Sequence, residues 1–275
     1  MRAHPLDDEA TGRQSFMLRR LHALSGVAPV GVFLVMHLAT NHRAVEGRAA
    51  FDGAVGEIQS VPLLPAVEAL GVLAPLAFHA LYGVVIALEA RPNVGRYPST
   101  RNWLFVIQRV TGFVAFGFVL LHLGQFRVAK ALGALSPDGF YARLGALLSE
   151  PAMFAVYMLG LTASVVHFAN GLWQSGTTWG FAASAGAQRR MAGAAWVLGL
   201  GLWLAGVDTL VHFFARCGGL FASSSAQRDA VCQGADMTEG LSNQGRPVIS
   251  SRAAPHIEGP ARGGRPSPRG PDHSR

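Results

Sequence analysis

The fold class this sequence predicts is all-α: an integral membrane bundle of five transmembrane helices followed by a disordered C-terminal tail. Three observations predict it. Half of the residues are hydrophobic and only 14% are charged, whereas a soluble domain carries about a quarter charged residues. The shortage of charge is concentrated in five stretches that almost exclude Asp, Glu, Lys and Arg. Each stretch meets the length of about 20 mostly apolar residues that a helix needs to cross the hydrocarbon core.

Residues 1–20 are expected to form a cytoplasmic N-terminal segment, 21–215 the five-helix membrane domain and 216–275 the tail. The first span is Leu21–Thr40. It is too long for the apolar core of a cleaved signal peptide, and no small-residue cleavage site follows it. The next four spans are Ala66–Leu88, Trp103–Phe126, Ala152–Trp173 and Met191–Phe214. Beyond about Gly218 the chain turns to Ser, Gly, Pro, Gln and Arg. Such a composition cannot bury enough apolar surface to offset its ordering entropy, so the tail is expected to be disordered. Cys217 and Cys232 both fall beyond the last predicted helix. Their pairing depends on whether that end faces an oxidising compartment. Neither stands in a C-x-x-C-H sequence, which excludes covalent c-type haem attachment.

Basic residues set the expected orientation. Arg2, Arg13, Arg19, Arg20, Arg91, Arg96, Arg101, Arg189 and Arg190 flank one side, nine in all, against Arg43, Arg48, Arg127, Lys130 and Arg143 on the other. Lys and Arg in short loops mark the cytoplasmic side. The N-terminus is therefore expected inside and, with five spans, the C-terminus outside. The net charge of +7 does not indicate nucleic acid, because the basic residues are scattered over loop ends and the tail and form no single amphipathic face.

His37, His79, His122 and His167 lie one in each of the first four spans. An ionisable residue inside the hydrocarbon is functional by default. A single such histidine is equally read as a helix–helix hydrogen-bond partner; four in consecutive helices are not. Their depths pair them. Each lies in the second half of its helix, and successive helices run in opposite directions. His37 and His122 thus share a level near the outer surface, and His79 and His167 share one nearer the cytoplasm. A rise of 1.5 Å per residue separates the two levels by roughly 15 Å. Two imidazoles from facing helices are the usual axial set for a b-type haem in a helix bundle. With both axial positions filled, such a centre carries single electrons. Zinc fits less well, because it takes four ligands at one point. Gly160, Ala163 and Gly171 leave one face bare around His167, and Gly83 lies one turn from His79. That pattern suits a flat macrocycle or, equally, close helix packing.

These residues carry a resemblance. FMLRRLHALSGVAPVGVFLVMHLATNH, LAPLAFHALYG, NWLFVIQRVTGF with the LLHL that follows, and VVHFANGLWQSGTTWG resemble the di-haem cytochrome b subunit of bacterial succinate:quinone oxidoreductases of the single-anchor type. The resemblance covers about residues 15 to 215. It implies two haem b groups with the four histidines as ligands, a location in the bacterial inner membrane, and a flavoprotein and an iron–sulfur protein bound at the cytoplasmic face. It also implies electron flow from the proximal haem (His79, His167) to the distal haem (His37, His122) and on to a quinone, commonly menaquinone. No dehydrogenase site is expected in this chain, because the cysteines that hold iron–sulfur clusters are missing. The alternatives are a di-haem cytochrome b of another respiratory complex, of fumarate reductase, hydrogenase or nitrate reductase type, and a channel or transporter with buried histidines.

Lesser candidates follow. Arg109 is the preferred propionate partner, ahead of Arg19, Arg20, Ser25 and Trp173, since arginine pairs well with carboxylates. Glu57 and Glu68 are the acids expected nearest the distal haem, where a carboxylate can relay protons to a quinone. His22 matches a family position that is not a ligand and is expected outside both levels. His42 is expected to be solvated, and Asp208 to hydrogen-bond His212 one turn away. Some fumarate reductases of the family carry an acid two residues before the fourth ligand. Here that position is Val165, which favours succinate oxidation.

Overall fold

The computed structural model describes residues 5–136 and 139–217, with side chains from residue 15 onward; the predicted tail and Cys232 lie outside the described residues. Within them every regular element is helical, and five helical spans are long and apolar enough to cross a membrane: Ser15–Glu46, Leu64–Glu89, Thr100–Ala131, Pro151–Thr178 and Ala185–Cys217.

Most spans are longer than the sequence pattern predicts, because their polar ends also wind into helix. The first combines α1 (Pro5–Val27) and α2 (Pro29–His42), joined where Pro29 supplies no amide hydrogen. His22 therefore lies well inside a helix and not at the start of one. A 3₁₀ turn, Arg43–Glu46, ends the span at Gly47, whose φ of 118° is a conformation that suits only glycine. The amphipathic helix α3 (Arg48–Gln59) then lies where a loop was expected. The second span comprises α4 (Leu64–Glu68), a π-helical turn (Ala69–Leu73) and α5 (Ala74–Glu89). Pro75 follows the π turn, and a missing amide hydrogen at that point accounts for the wider ring before it. The third comprises α6 (Thr100–Leu123), capped by the Ser99 hydroxyl, a second π turn (Gly124–Val128) and α7 (Ala129–Ala131). A short amphipathic helix, α8 (Phe140–Leu148), precedes the fourth span α9 (Pro151–Thr178). The last is α10 (Ala185–Cys217). It runs past Phe214, so Cys217 is not beyond the helix but buried in its final turn.

α9 is the hub, packed against α1, α6, α8 and α10. In a membrane, helices associate through close packing and not through the hydrophobic effect, so small residues lie at their contacts. Gly199 of α10 shows this: a Cβ there would stand 2.8 Å from the Cβ of Ala169. The outward faces stay apolar, with Leu70, Leu88 and Val197 each about three-quarters exposed, as lipid contact requires.

Polar contacts define two ends of the bundle. At the near end Arg19 pairs with Glu89 at 2.6 Å, Arg20 reaches the Thr178 carbonyl at 3.4 Å, and Arg101 reaches Gln188 at 3.3 Å. At the far end Arg127 meets Glu68 at 3.0 Å and Lys130 meets Gln59 at 3.3 Å. There α3 and α8 close the bundle through Phe51, Tyr141 and Phe213, whose rings lie 5.6 and 4.8 Å apart in turn.

Candidate functional site

The four histidines come together as two pairs. His79 of α5 faces His167 of α9, with ring centroids 6.1 Å apart and planes at 83°. His37 of α2 faces His122 of α6, with centroids 5.7 Å apart and planes at 82°. The levels are distinct: His122 touches Tyr157, which lies ten residues before His167 on α9, or about 15 Å along the helix axis.

The near pair is held by backbone. His79 Nδ1 lies 3.0 Å from the carbonyl of His22, and His167 Nδ1 lies 3.0 Å from the carbonyl of Gln108. A carbonyl only accepts, so Nδ1 carries the hydrogen in both rings and Nε2 keeps its lone pair, the form in which a neutral imidazole binds a metal. In both cases a glycine one helical turn after the acceptor opens the approach. A Cβ on Gly26 would stand 2.3 Å from the His79 ring, and one on Gly112 would stand 2.9 Å from the His167 ring. These are the glycines that seat the imidazoles. Of those singled out in the sequence, Gly160 instead receives the Phe118 ring, Gly83 the His22 ring and Gly171 the Gln108 amide.

His22 corrects its expectation. Its ring stacks on His79, 4.2 Å between centroids and 7° from parallel, so it lies at the near level. Gln108 and Asn170 were also missed, although both fall inside quoted motifs. Asn170, fully buried, donates to Gln108 Oε1 at 2.8 Å and to the Leu104 carbonyl at 3.0 Å. This ties α9 to α6 beside His167.

The far pair is held by side chains. His122 Nδ1 is 3.4 Å from the Tyr157 hydroxyl, which donates to Gln125 Oε1 at 2.6 Å. The Asn41 amide donates to the His37 carbonyl at 2.8 Å and stands 3.4 Å from His37 Nε2. Phe33 packs on His37, and Phe118 and Phe126 on His122, at centroid distances of 5.0 to 5.8 Å.

Both spacings suit one metal atom per level. Metal–imidazole bonds are about 2 Å long, which sets the centroids of two opposed ligands about 6 Å apart. The amides of Gln108 and Asn41 stand 3.4 Å from the Nε2 atoms but donate more closely to the carbonyls of His167 and His37, at 3.2 and 2.8 Å. Among the described residues no three metal-ligating side chains gather at one point, so each level offers two nitrogens only. Acceptors are missing nearby among the described residues: Arg20 Nε, Arg109 Nε, Trp173 Nε1 and Trp179 Nε1 are buried without a partner. All four lie toward the near end and would suit the carboxylates of a porphyrin. Arg109 keeps one contact, to the Phe105 carbonyl at 2.8 Å, with its guanidinium over the Phe105 ring. Two lesser candidates are otherwise engaged: Arg19 with Glu89, and the Ser25 hydroxyl with the His22 carbonyl at 2.9 Å.

The two glutamates separate. Glu57 lies on α3, exposed, and lines a cavity of about 510 Å³ with Ala39, Thr40, Arg43 and Gly53. Glu68 is bound to Arg127. His42 is tied to α10, 3.3 Å from Thr209 Oγ1 and 3.9 Å from Asp208. The expected Asp208–His212 hydrogen bond gives way to this arrangement, and His212 Nε2 is buried without a partner.

Residues 87–208 match the succinate dehydrogenase/fumarate reductase transmembrane subunit family. The succinate dehydrogenase cytochrome b558 subunit of Bacillus subtilis is 42% identical over 179 residues, 65% of this chain and 87% of that protein. With that identity over 87% of the relative, and with five helices long enough to span a membrane, the chain belongs to the succinate dehydrogenase/fumarate reductase transmembrane subunit family.

Proposed function

We propose that this chain is the membrane-anchor cytochrome b subunit of a succinate dehydrogenase, joining an iron–sulfur subunit, itself bound to a flavoprotein, to a quinone through two b haems. The observation that carries this reading is the two imidazole pairs, stacked about 15 Å apart and each spaced for one metal atom. His79 and His167 would hold the proximal haem, and His37 and His122 the distal one. Haem bound at these levels supplies one-electron carriage, with no open position on iron for substrate.

The chain's own groups do the rest. The carbonyls of His22 and Gln108 hold the near imidazoles by Nδ1, which would leave each Nε2 free to ligate a metal. Arg109, with Arg20, Trp173 and Trp179, supplies buried donors for propionates. Among the described residues the near end gathers most of the arginines, including Arg19, Arg20, Arg96 and Arg101. This supports placing it at the cytoplasm, where the two soluble subunits dock, and setting the chain in a bacterial inner membrane with its N-terminus inside. Quinone, menaquinone in this reading, then meets the far end. Glu57, on the open cavity, is better placed to deliver protons than Glu68, whose carboxylate faces Arg127. Val165 is apolar and 2% exposed, so no acid precedes His167 by two residues. That favours succinate oxidation over fumarate reduction.

Purification tests the proposal. The chain should come out with two soluble subunits and two haem b per complex, and succinate should reduce quinone only when all three are present. A chain without haem bands, or one that reduces quinone from succinate alone, overturns it.

A further inference from the structure

Three of the four paired histidines have an oxygen at Nδ1. For His79 and His167 it is a backbone carbonyl, and for His122 it is the hydroxyl of Tyr157. Tyr157 is 4% exposed, deep between α6 and α9, where a phenylalanine would fill the same space and need no partner. Its hydrogen goes to Gln125 Oε1, 2.6 Å away. The oxygen lone pairs are then what His122 meets at 3.4 Å, a contact that favours the hydrogen on Nδ1 and leaves Nε2 free. Gln125 lies in the π-helical turn Gly124–Val128, a distortion frequent at functional sites. Its amide nitrogen lies 3.6 Å from the Met153 sulfur, which orients Oε1 toward Tyr157.

We propose that Tyr157 and Gln125 are positioning residues for His122, a side-chain counterpart of the carbonyls at the other level, and that they set the reduction potential of the His37–His122 centre alone. This rests on the two-haem reading above. A hydrogen bond from Nδ1 makes the imidazole a stronger donor and stabilises ferric iron. Its loss should raise the potential.

The test uses the whole complex, with redox titration followed optically and ferric spectra by electron paramagnetic resonance. Tyr157→Phe should keep two haems and raise one midpoint, that of the component missing from His122→Ala. The expected shift is threefold to tenfold in the reduction equilibrium, up to about 59 mV for one electron. The ferric signal of that component alone should change as its ring loses its tether. Gln125→Leu should move the same midpoint in the same direction by less, because Tyr157 remains. Trp203→Phe removes a comparable hydrogen bond, Trp203 Nε1 to Thr162 at 3.0 Å, away from any histidine, and should move neither midpoint. The inference fails if Tyr157→Phe leaves both midpoints in place, moves them together, or does no more than Trp203→Phe. Should Tyr157→Phe not assemble, an unmoved midpoint in Gln125→Leu overturns it. A wild-type complex with fewer than two haems overturns the proposed function instead.

Discussion

The two histidine levels do the same geometric task with different materials. At the near level the imidazoles reach past Gly26 and Gly112 to backbone carbonyls, with Nδ1–oxygen distances of 3.0 Å. At the far level the contacts are longer and come from Asn41 and Tyr157, inside a cage of phenylalanines. A carbonyl in a helix cannot be removed by substitution and hardly moves. A side chain can be exchanged, and it turns more easily. The near level is therefore built to be fixed and the far level to be adjustable. On the proposed function, that would suit a path whose near end meets a rigid protein partner and whose far end meets an exchangeable quinone.

Removing a ligand is the largest way to break this comparison. His79→Ala and His167→Ala should each lose one spectral component, and His37→Ala and His122→Ala the other, halving haem content in every case. A single axial imidazole does not keep iron low-spin, so even a retained porphyrin would change its spectrum. If His37→Ala and His79→Ala lose the same component, the pairing is wrong.

The glycines come next. Gly26→Ala places a methyl 2.3 Å from the His79 ring, and Gly112→Ala places one 2.9 Å from His167. Disturbing such support typically costs about 10–100-fold in metal affinity. Both variants should lose the near component selectively, Gly26→Ala more severely. Equal loss of both components on haem titration of the purified complex would mean that the bundle, not the seat, had failed.

Much of this was legible in the sequence and some could not be. Four histidines in apolar stretches declare themselves, because charge is so costly in hydrocarbon, and alternating helix direction sorts them by depth. Helices α3 and α8 escaped notice because each is short and buries only one face, through Phe51 and Tyr141. The apolar pattern starts the first helix at Leu21 and so sets His22 outside the levels; the helix begins at Pro5, which puts His22 well inside it. The carbonyls of His22 and Gln108 leave no trace in residue identity. Their only signal is a glycine four positions later, and glycine is common in membrane helices for other reasons.

At the far end the two acids sharpen the contrast. Glu57→Gln should slow quinone reduction about a hundredfold or more, within the range for a lost proton donor, while both haems remain. Glu68→Gln should do less, since its carboxylate already pairs with Arg127. Steady-state turnover with a soluble quinone checks the order, and a larger effect of Glu68→Gln would shift the site toward the second span.

The smallest expected effect is the most pointed. Gln108 touches His167 twice, through its carbonyl at 3.0 Å and through its amide at 3.2 to 3.4 Å. Gln108→Ala deletes only the amide. If the backbone carbonyl holds the ring, the near haem should keep its spectrum and its midpoint. The loss should then appear as stability, because Asn170 Nδ2 forfeits its 2.8 Å acceptor in a fully buried position. Hydrogen bonds between membrane helices average about 0.6 kcal/mol, which is under threefold in any equilibrium and leaves the fold intact. Thermal denaturation of the complex in detergent should therefore fall slightly while redox titration stays unchanged. Tyr157→Phe, deleting one hydroxyl and its 2.6 Å bond to Gln125 at the other level, should lower stability to a similar degree but also move a midpoint. A near midpoint that moves in Gln108→Ala as far as the far midpoint moves in Tyr157→Phe would show that side chains govern both levels, and the distinction between a fixed and an adjustable centre would be lost.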